Sequence, residues 1–367
     1  MLKCAPPGGR YRLAVSPFLE RNISNLVVYL SGTDMSSIAQ SRVPVLLSGF
    51  ADEADLGPEQ FTFAKKELGL NRVDPRFFQF PGDASKANLI TFSDERIAAI
   101  VGMLSAAQLS VGVIGTPIGK AVATFQGHDN GDPENFKAGA DQAIAGIARV
   151  YQALGQTPPV RIFAGKLSHQ IEFDSIASQV LDETGYIAEK VKALGGRTLV
   201  ENEGYTGAFQ PAHTQFICEK LARENVGAIF DEGNALAVGM THNEILKQLV
   251  TLLPYIEAIH LKCLDPKDPK LVQGKWTPET ELTQFRVVQA AVYEFLFREL
   301  QETGEAQLSV ANIETGVGFS ADRPVIISAE PHRSISGRFG GSTDKPLFVE
   351  FMQELRKLGD GFNLEFK

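Results

Sequence analysis

Short apolar runs recur along most of this chain, and each is followed by a longer stretch with helical periodicity. The first run lies at residues 45–47, just after Pro44, and the second at 70–73. Others occupy 111–114, 160–163, 198–200, 227–230, 256–259 and 325–328. Near-continuous apolar runs of this length predict strands buried on both faces, as in a parallel sheet. The segments between them read as helices. Pro58 opens one that stops at Gly69, the usual start and stop asymmetry. Residues 94–107 carry Ile97, Ile100, Val101 and Leu104 on one face. Asp132, Pro133 and Glu134 supply a cap, a first-turn proline and acidic charge to a helix running to Leu154. Further helices are expected at 174–194 and 211–224, after the capping box Thr241-x-x-Glu244, at 281–300 and at 346–358.

Eight strand signals alternating with helices predict an α/β architecture. The alternation does not by itself separate a closed barrel from an open doubly wound sheet. The lack of a GxGxxG turn after the first strand counts against a dinucleotide-binding sheet. Residues 1–43, with Pro6, Pro7, Gly8 and Gly9, break the rhythm and read as an N-terminal extension to a domain spanning 44–367. Two segments, 262–280 and 303–323, read as long loops of the kind that form lids or interfaces.

The chain has 367 residues, which suits a single barrel with insertions. Its formal net charge of -9 and its scattered lysines and arginines argue against nucleic acid as a partner. Cys4, Cys218 and Cys263 form no CxxC pair, so reduced thiols and a cytoplasmic location are expected. No apolar run reaches the roughly 18 residues of a membrane span. The apolar stretch at 13–19 is interrupted by Ser16 and Pro17 and makes a poor secretory signal.

Barrel enzymes carry their chemistry at the C-terminal ends of the strands. Glu201 follows the fifth apolar run, Asp231 the sixth, His260 the seventh and Glu330 the eighth. One such residue is usually a helix cap or a surface charge. Four on consecutive strands converge on one rim. Three carboxylates brought together repel one another, and a divalent cation relieves the repulsion. A mixed carboxylate and imidazole set suits Mn, Mg, Co or Zn. The first three strands lead into Gly49-Phe50-Ala51-Asp52-Glu53, Asp74-Pro75-Arg76 and Gly115-Thr116-Pro117-Ile118-Gly119-Lys120. The last is either a turn shaped by proline and two glycines or a loop that brings backbone N–H groups and Lys120 to a ligand.

With Glu201-Asn202-Glu203, Phe230-Asp231, His260-Leu261-Lys262 and Glu330-Pro331-His332, these motifs resemble the sugar phosphate isomerase/epimerase family, the xylose-isomerase-like TIM barrel superfamily. The resemblance covers residues 44–335, in order, with one motif per strand. It implies a (β/α)8 TIM barrel, which this chain would carry with an N-terminal extension and long insertions between strands seven and eight. It also implies one divalent metal, manganese favoured, on Glu201, Asp231, His260 and Glu330. Glu201 and Glu330 would double as the acid/base pair in isomerising or epimerising a keto sugar or related polyol through an enediolate. Glu53, Arg76, Lys120, Glu203, Asn234, Lys262 and His332 are candidates for substrate contact, though salt bridges or caps would equally explain each. His128, His169, His213 and His242 carry no expected role. Two departures stand out: Cys263 follows Lys262 where the family often has Asp, and the segment from His260 to Glu330 is long. The partner expected is a small carbohydrate, and the assembly a homodimer or tetramer. Three alternatives remain: a lyase or dehydratase acting on a 3-keto sugar or glycoside, an endonuclease IV-like repair enzyme, and a non-catalytic sugar-binding protein. The second needs more histidines and a basic groove.

Overall fold

A computed structural model describes residues 43–122, 133–167, 172–262, 324–331, 343–361 and 364–367. The expected N-terminal extension, the helix at 281–300, nearly all of the two long loops, Cys263 and His332 lie outside the described residues. Strand β1 (Val43–Gly49) leads into helix α1 (Glu59–Lys66) and β2 (Arg72–Val73). A short antiparallel pair, β3 (Phe77–Phe78) and β4 (Ala87–Asn88), precedes α2 (Asp94–Ala106). Then come β5 (Ser110–Val111), β6 (Ile114–Gly115), α3 (Pro133–Leu154), β7 (Val160–Ile162) and α4 (Ala177–Ala193). They are followed by β8 (Thr198–Glu201), α5 (Pro211–Leu221), β9 (Val226–Asp231), α6 (Glu232–Ala237), α7 (His242–Leu252) and β10 (Ile256–Leu261). The last described elements are β11 (Ile326–Ala329), α8 (Lys345–Gly361) and β12 (Leu364–Phe366). No described helix is long and apolar enough to cross a membrane.

Strands β6 to β11 pair side by side in chain order, and β11 pairs with β1, all in parallel. On the other side of β1, the Asp74 N–H donates to the Gly49 carbonyl (3.0 Å) and leads into β2. β2 pairs with β5, and the Gly115 N–H reaches the Pro75 carbonyl at 3.0 Å. Backbone hydrogen bonds therefore run around the whole ring of a (β/α)8 barrel, with β5 and β6 sharing the third position. β12, which the sequence pattern did not announce, lies beside the start of β1. There the Leu47 N–H donates to the Lys367 carbonyl, and the Lys367 N–H to the Val45 carbonyl, each at 2.9 Å.

The third strand, expected as one run over 111–114, is split at Gly112 and Val113. The cause is Asp74, whose Oδ1 accepts the Val113 N–H at 2.7 Å in place of a neighbouring strand. Ser48 and Ser328 also donate to this buried carboxylate. A Cβ at position 112 would lie 2.4 Å from Asp74 Oδ1, so glycine is required there.

Burial divides into two layers. The larger core packs the strands against the helices. A separate small cluster holds Val113, Leu199, Ile229, Ala258 and Ile326, with Leu46 against it. Strand side chains alternate between faces, so residues two apart share one face. Two positions beyond Leu199, Ile229 and Ala258 stand Glu201, Asp231 and His260, and four beyond Ile326 stands Glu330. The barrel interior therefore has an apolar floor and a polar layer above it, at the C-terminal ends of the strands.

Candidate metal centre

Glu201, Asp231, His260 and Glu330 each offer one donor atom, and the four atoms lie within 4.8 Å of one another. All four residues are buried. His260 Nδ1 is 3.1 Å from Glu201 Oε1, 3.6 Å from Glu330 Oε2 and 3.8 Å from Asp231 Oδ2.

Local structure fixes each donor. Asp231 ends β9 and caps α6, with Oδ1 accepting the Asn234 N–H at 2.9 Å. The amide of Asn202 clamps the backbone of the same residue, donating to its carbonyl (2.7 Å) and accepting its N–H (2.8 Å). Asn234 Nδ2 donates to Glu201 Oε1 (3.1 Å), while its Oδ1 accepts from Lys262 Nζ (2.7 Å). Lys262 Nζ lies 2.8 Å from Asp231 Oδ2 and 3.7 Å from Glu330 Oε2. The imidazole of His260 stands perpendicular to the Phe50 ring, their centroids 5.1 Å apart. Arg76 Nη1 donates to Glu330 Oε1 (2.6 Å) and its Nε to Asp52 Oδ2 (3.0 Å). Arg161 Nη1 sits 3.3 Å from Glu201 Oε2.

Of the residues expected at the substrate, Arg76, Asn234 and Lys262 therefore contact the three carboxylates of the cluster directly. Glu53 sits beside Arg76 and accepts from the Thr343 hydroxyl at 2.7 Å, tying the end of β1 to the segment that enters α8. Lys120 and Glu203 pair with each other at 2.9 Å, with Lys120 partly exposed. His332 lies outside the described residues. Arg161, Asn202 and Asp52 were not foreseen as part of the site. Arg161 did leave a signal, a charged residue in the middle of an apolar run, which an inspection of strand ends alone passes over.

The electrostatics favour an added cation. Asp52, Glu53, Glu201, Asp231 and Glu330 face Arg76, Arg161 and Lys262, so five carboxyl groups meet three fixed cations, and against the effect of burial Glu201 makes His260 take up a proton more readily than usual. Burial pushes the Asp231 carboxyl up to about 7, against the pull of Lys262. Burial also raises Asp52. Burial acts on Glu201 in the same sense, but His260 and Arg161 outweigh it and hold that carboxyl below the usual range. Buried Lys262 is kept protonated chiefly by Asp231. Glu201 Oε2 and Asp231 Oδ2 are buried and make no hydrogen bond. A divalent cation would take the place of the protons that Asp231 and His260 hold, and the donor set of three carboxylates and one imidazole suits such an ion. These residues fit a divalent metal.

The family model of the xylose isomerase-like TIM barrel matches residues 66–316, a span that ends before Glu330. No curated protein matches the chain. Among solved structures, a xylose isomerase-like TIM barrel protein from Mycobacterium smegmatis in complex with magnesium has a TM-score of 0.52 and 13% identity, covering 89% of this chain and 99% of its own. The 3-keto-D-glucoside 4-epimerase from E. coli, in its apo form, has a TM-score of 0.53 and 12% identity, covering 86% of this chain and 100% of its own. The D-psicose 3-epimerase with D-tagatose from Clostridium cellulolyticum H10 has a TM-score of 0.55 and 10% identity, covering 88% and 100%. At such identities these likenesses speak for the fold alone. The match of the family model over more than half of the sequence identifies the chain as a member of the xylose isomerase-like TIM barrel family.

Proposed function

We propose that this protein is a divalent-metal-dependent isomerase or epimerase that acts on a keto sugar or related polyol through an enediolate. One observation carries the reading: two buried glutamates, on β8 and just past β11, direct oxygens to the point that Asp231 and His260 also face. Glu201, Asp231, His260 and Glu330 would hold the cation, with manganese the favoured ion. The bound cation would supply Lewis acidity, stabilising charge that develops on the substrate's oxygens. Glu201 and Glu330 act as the acid/base pair. One removes the proton beside the carbonyl and the other returns it on the opposite face, which inverts the carbon. Return to the neighbouring carbon gives aldose–ketose isomerisation instead. Lys262 and Arg76 are buried cations beside these carboxylates. They offset negative charge where the enediolate forms, in surroundings from which water is largely excluded. Two of the structural relatives described above are named as sugar epimerases, which supports the substrate class.

The test is proton exchange. Protein of measured metal content is incubated in D2O with a panel of ketoses and 3-keto glycosides, with and without chelator. Deuterium should enter next to the carbonyl of at least one compound and should stop entering with chelator, in Glu201→Gln and in Glu330→Gln. Metal-loaded protein that exchanges no proton in any compound would remove the proposal. Release of an aglycone or loss of water would replace it with the lyase reading.

A further inference from the structure

The three carboxylates of the centre share a pattern. Each has one oxygen near His260 Nδ1, where Asn234 or Lys262 also reaches it, and the other oxygen beside a further donor on the side away from His260. For Asp231 the outer donor is the Asn234 backbone N–H, on Oδ1 at 2.9 Å. For Glu330 it is Arg76, on Oε1 at 2.6 Å, while Oε2 faces His260. For Glu201 the inward atom is Oε1, and Oε2 has Arg161 Nη1 at 3.3 Å. We propose that Arg161 is a positioning residue that holds Glu201 to one inward oxygen, as Arg76 holds Glu330, so that each glutamate meets the cation through a single oxygen. This rests on the metal-enzyme reading above and adds the binding mode and the residues that set it.

Several features single out Arg161. It lies in the middle of β7, in register with Leu199, and so is rooted at the level of the apolar floor. A guanidinium buried there is costly unless it is well paired. Besides the ion pair with Glu201, its Nη2 donates a long hydrogen bond to the Thr116 carbonyl (3.3 Å), and its Nε is buried without a partner. The guanidinium lies 5.4 Å from the Phe50 ring and 4.8 Å from that of Phe163, contacts that fix it under Glu201. Arg76 lies 4.5 Å from the same Phe50 ring. One phenylalanine therefore has both arginines against it, and each arginine serves a different glutamate. A carboxylate can bind a metal through one oxygen or both. A fixed cation beside the outer oxygen selects the first mode.

The experiment uses the full chain and Mn2+ as the probe. Infrared difference spectra of Mn2+ binding to the wild type report the carboxylate stretches, and the Glu201 bands are identified by their loss in Glu201→Gln. The expected result is the wide splitting of single-oxygen binding; the narrow splitting of a chelating Glu201 would overturn the proposal without touching the metal site. Oxygen-17 relaxation of bound Mn2+ then counts exchangeable waters. Arg161→Met should lose a water as Glu201 turns both oxygens inward, with proton exchange slowed by about 10- to 100-fold, the usual effect of losing such support. Arg161→Lys should restore the count. An unchanged water count in a folded, Mn2+-loaded Arg161→Met would overturn the proposal. Failure of the wild type to bind Mn2+ would overturn this inference and the metal-enzyme reading together.

Discussion

The two halves of the barrel rim handle charge differently. The half built by β8 to β11 supplies all four candidate ligands. Within it, Asp231 is supported from nearby, by Asn202, Asn234 and Lys262. The half built by β1, β2, β6 and β7 supplies no candidate ligand among the described residues. It presents Phe50, Arg76, Arg161 and Phe163, with Asp52 and Glu53 behind Arg76. The two glutamates therefore differ from Asp231: their outer oxygens are held from the other half. Affinity for the metal should depend on the ligand half. The orientation of the acid/base pair should depend on the cationic half.

The sharpest way to break this division is Asp231→Ala. It removes a candidate ligand and also the cap of α6. The expected loss of Mn2+ affinity exceeds about 100-fold, the upper end for loss of a ligand's support. The missing cap lowers stability by about 1 kcal/mol besides. Calorimetric titration with Mn2+ beside Arg76→Met gives the contrast. The arginine variant should bind Mn2+ far more tightly than the alanine variant while losing proton exchange. Equal affinity losses would erase the distinction between the halves.

Lys262→Met probes the ligand half from within. The lysine is buried against Asp231, and removing one partner of a buried pair costs about 3–5 kcal/mol. The metal-free protein should melt at a much lower temperature than the wild type. Added Mn2+ should recover part of the difference, because the cation takes over the neutralisation of Asp231. A melting temperature unchanged in the absence of metal would mean that the pair contributes nothing.

A smaller effect comes from pH. Asp231 is raised from 3.8 to about 7 by burial, so between those values the metal-free folded chain holds a proton that the unfolded chain has released. Its contribution to stability is therefore present at low pH and falls as pH rises through this window. Mn2+ must displace that proton, so affinity should climb with pH and level off above about 7. Titrations in buffers of different ionisation enthalpy measure the proton released. Affinity independent of pH between about 5 and 7 would show that Asp231 is ionised before the metal arrives.

The convergence of the four candidate ligands was legible in the sequence, and of the two arginines facing them Arg76 was but Arg161 was not, for a physical reason. Glu201, Asp231, His260 and Glu330 are each the first ionisable side chain after a buried run, so polarity changes abruptly where the strand ends. Arg161 is inside its run, and its length carries the charge from the floor to the layer above. Its contact with Glu201 depends on the register of β7 with β8, which no local pattern encodes. The helices were legible where a cap and an apolar face coincide, as with α7, whose Thr241 and Glu244 make the expected reciprocal bonds. The six-residue α6 has no room for such a face, and β12 is three residues that make sense only beside β1. The split of the third strand was hidden because its cause, Asp74, lies 39 positions earlier in the chain.

The smallest effect tests whether the rim outside the centre is part of either half. Gly119, at φ +80, packs so closely on β7 that a Cβ would overlap the Phe163 carbonyl. That packing sets Lys120 over the Phe163 ring at 5.0 Å and beside Glu203 at 2.9 Å, so this ion pair joins the cationic half to the ligand half. Lys120 is 45% exposed, and ion pairs of that kind contribute at most about 1 kcal/mol. Lys120→Ala should therefore shift the melting temperature little and leave Mn2+ affinity at the wild-type value. A change in KM for the substrate with kcat preserved would assign Lys120 to substrate contact. A change in Mn2+ affinity would instead mean that this outer ion pair couples the two halves energetically, as Arg76 and Arg161 do nearer the centre.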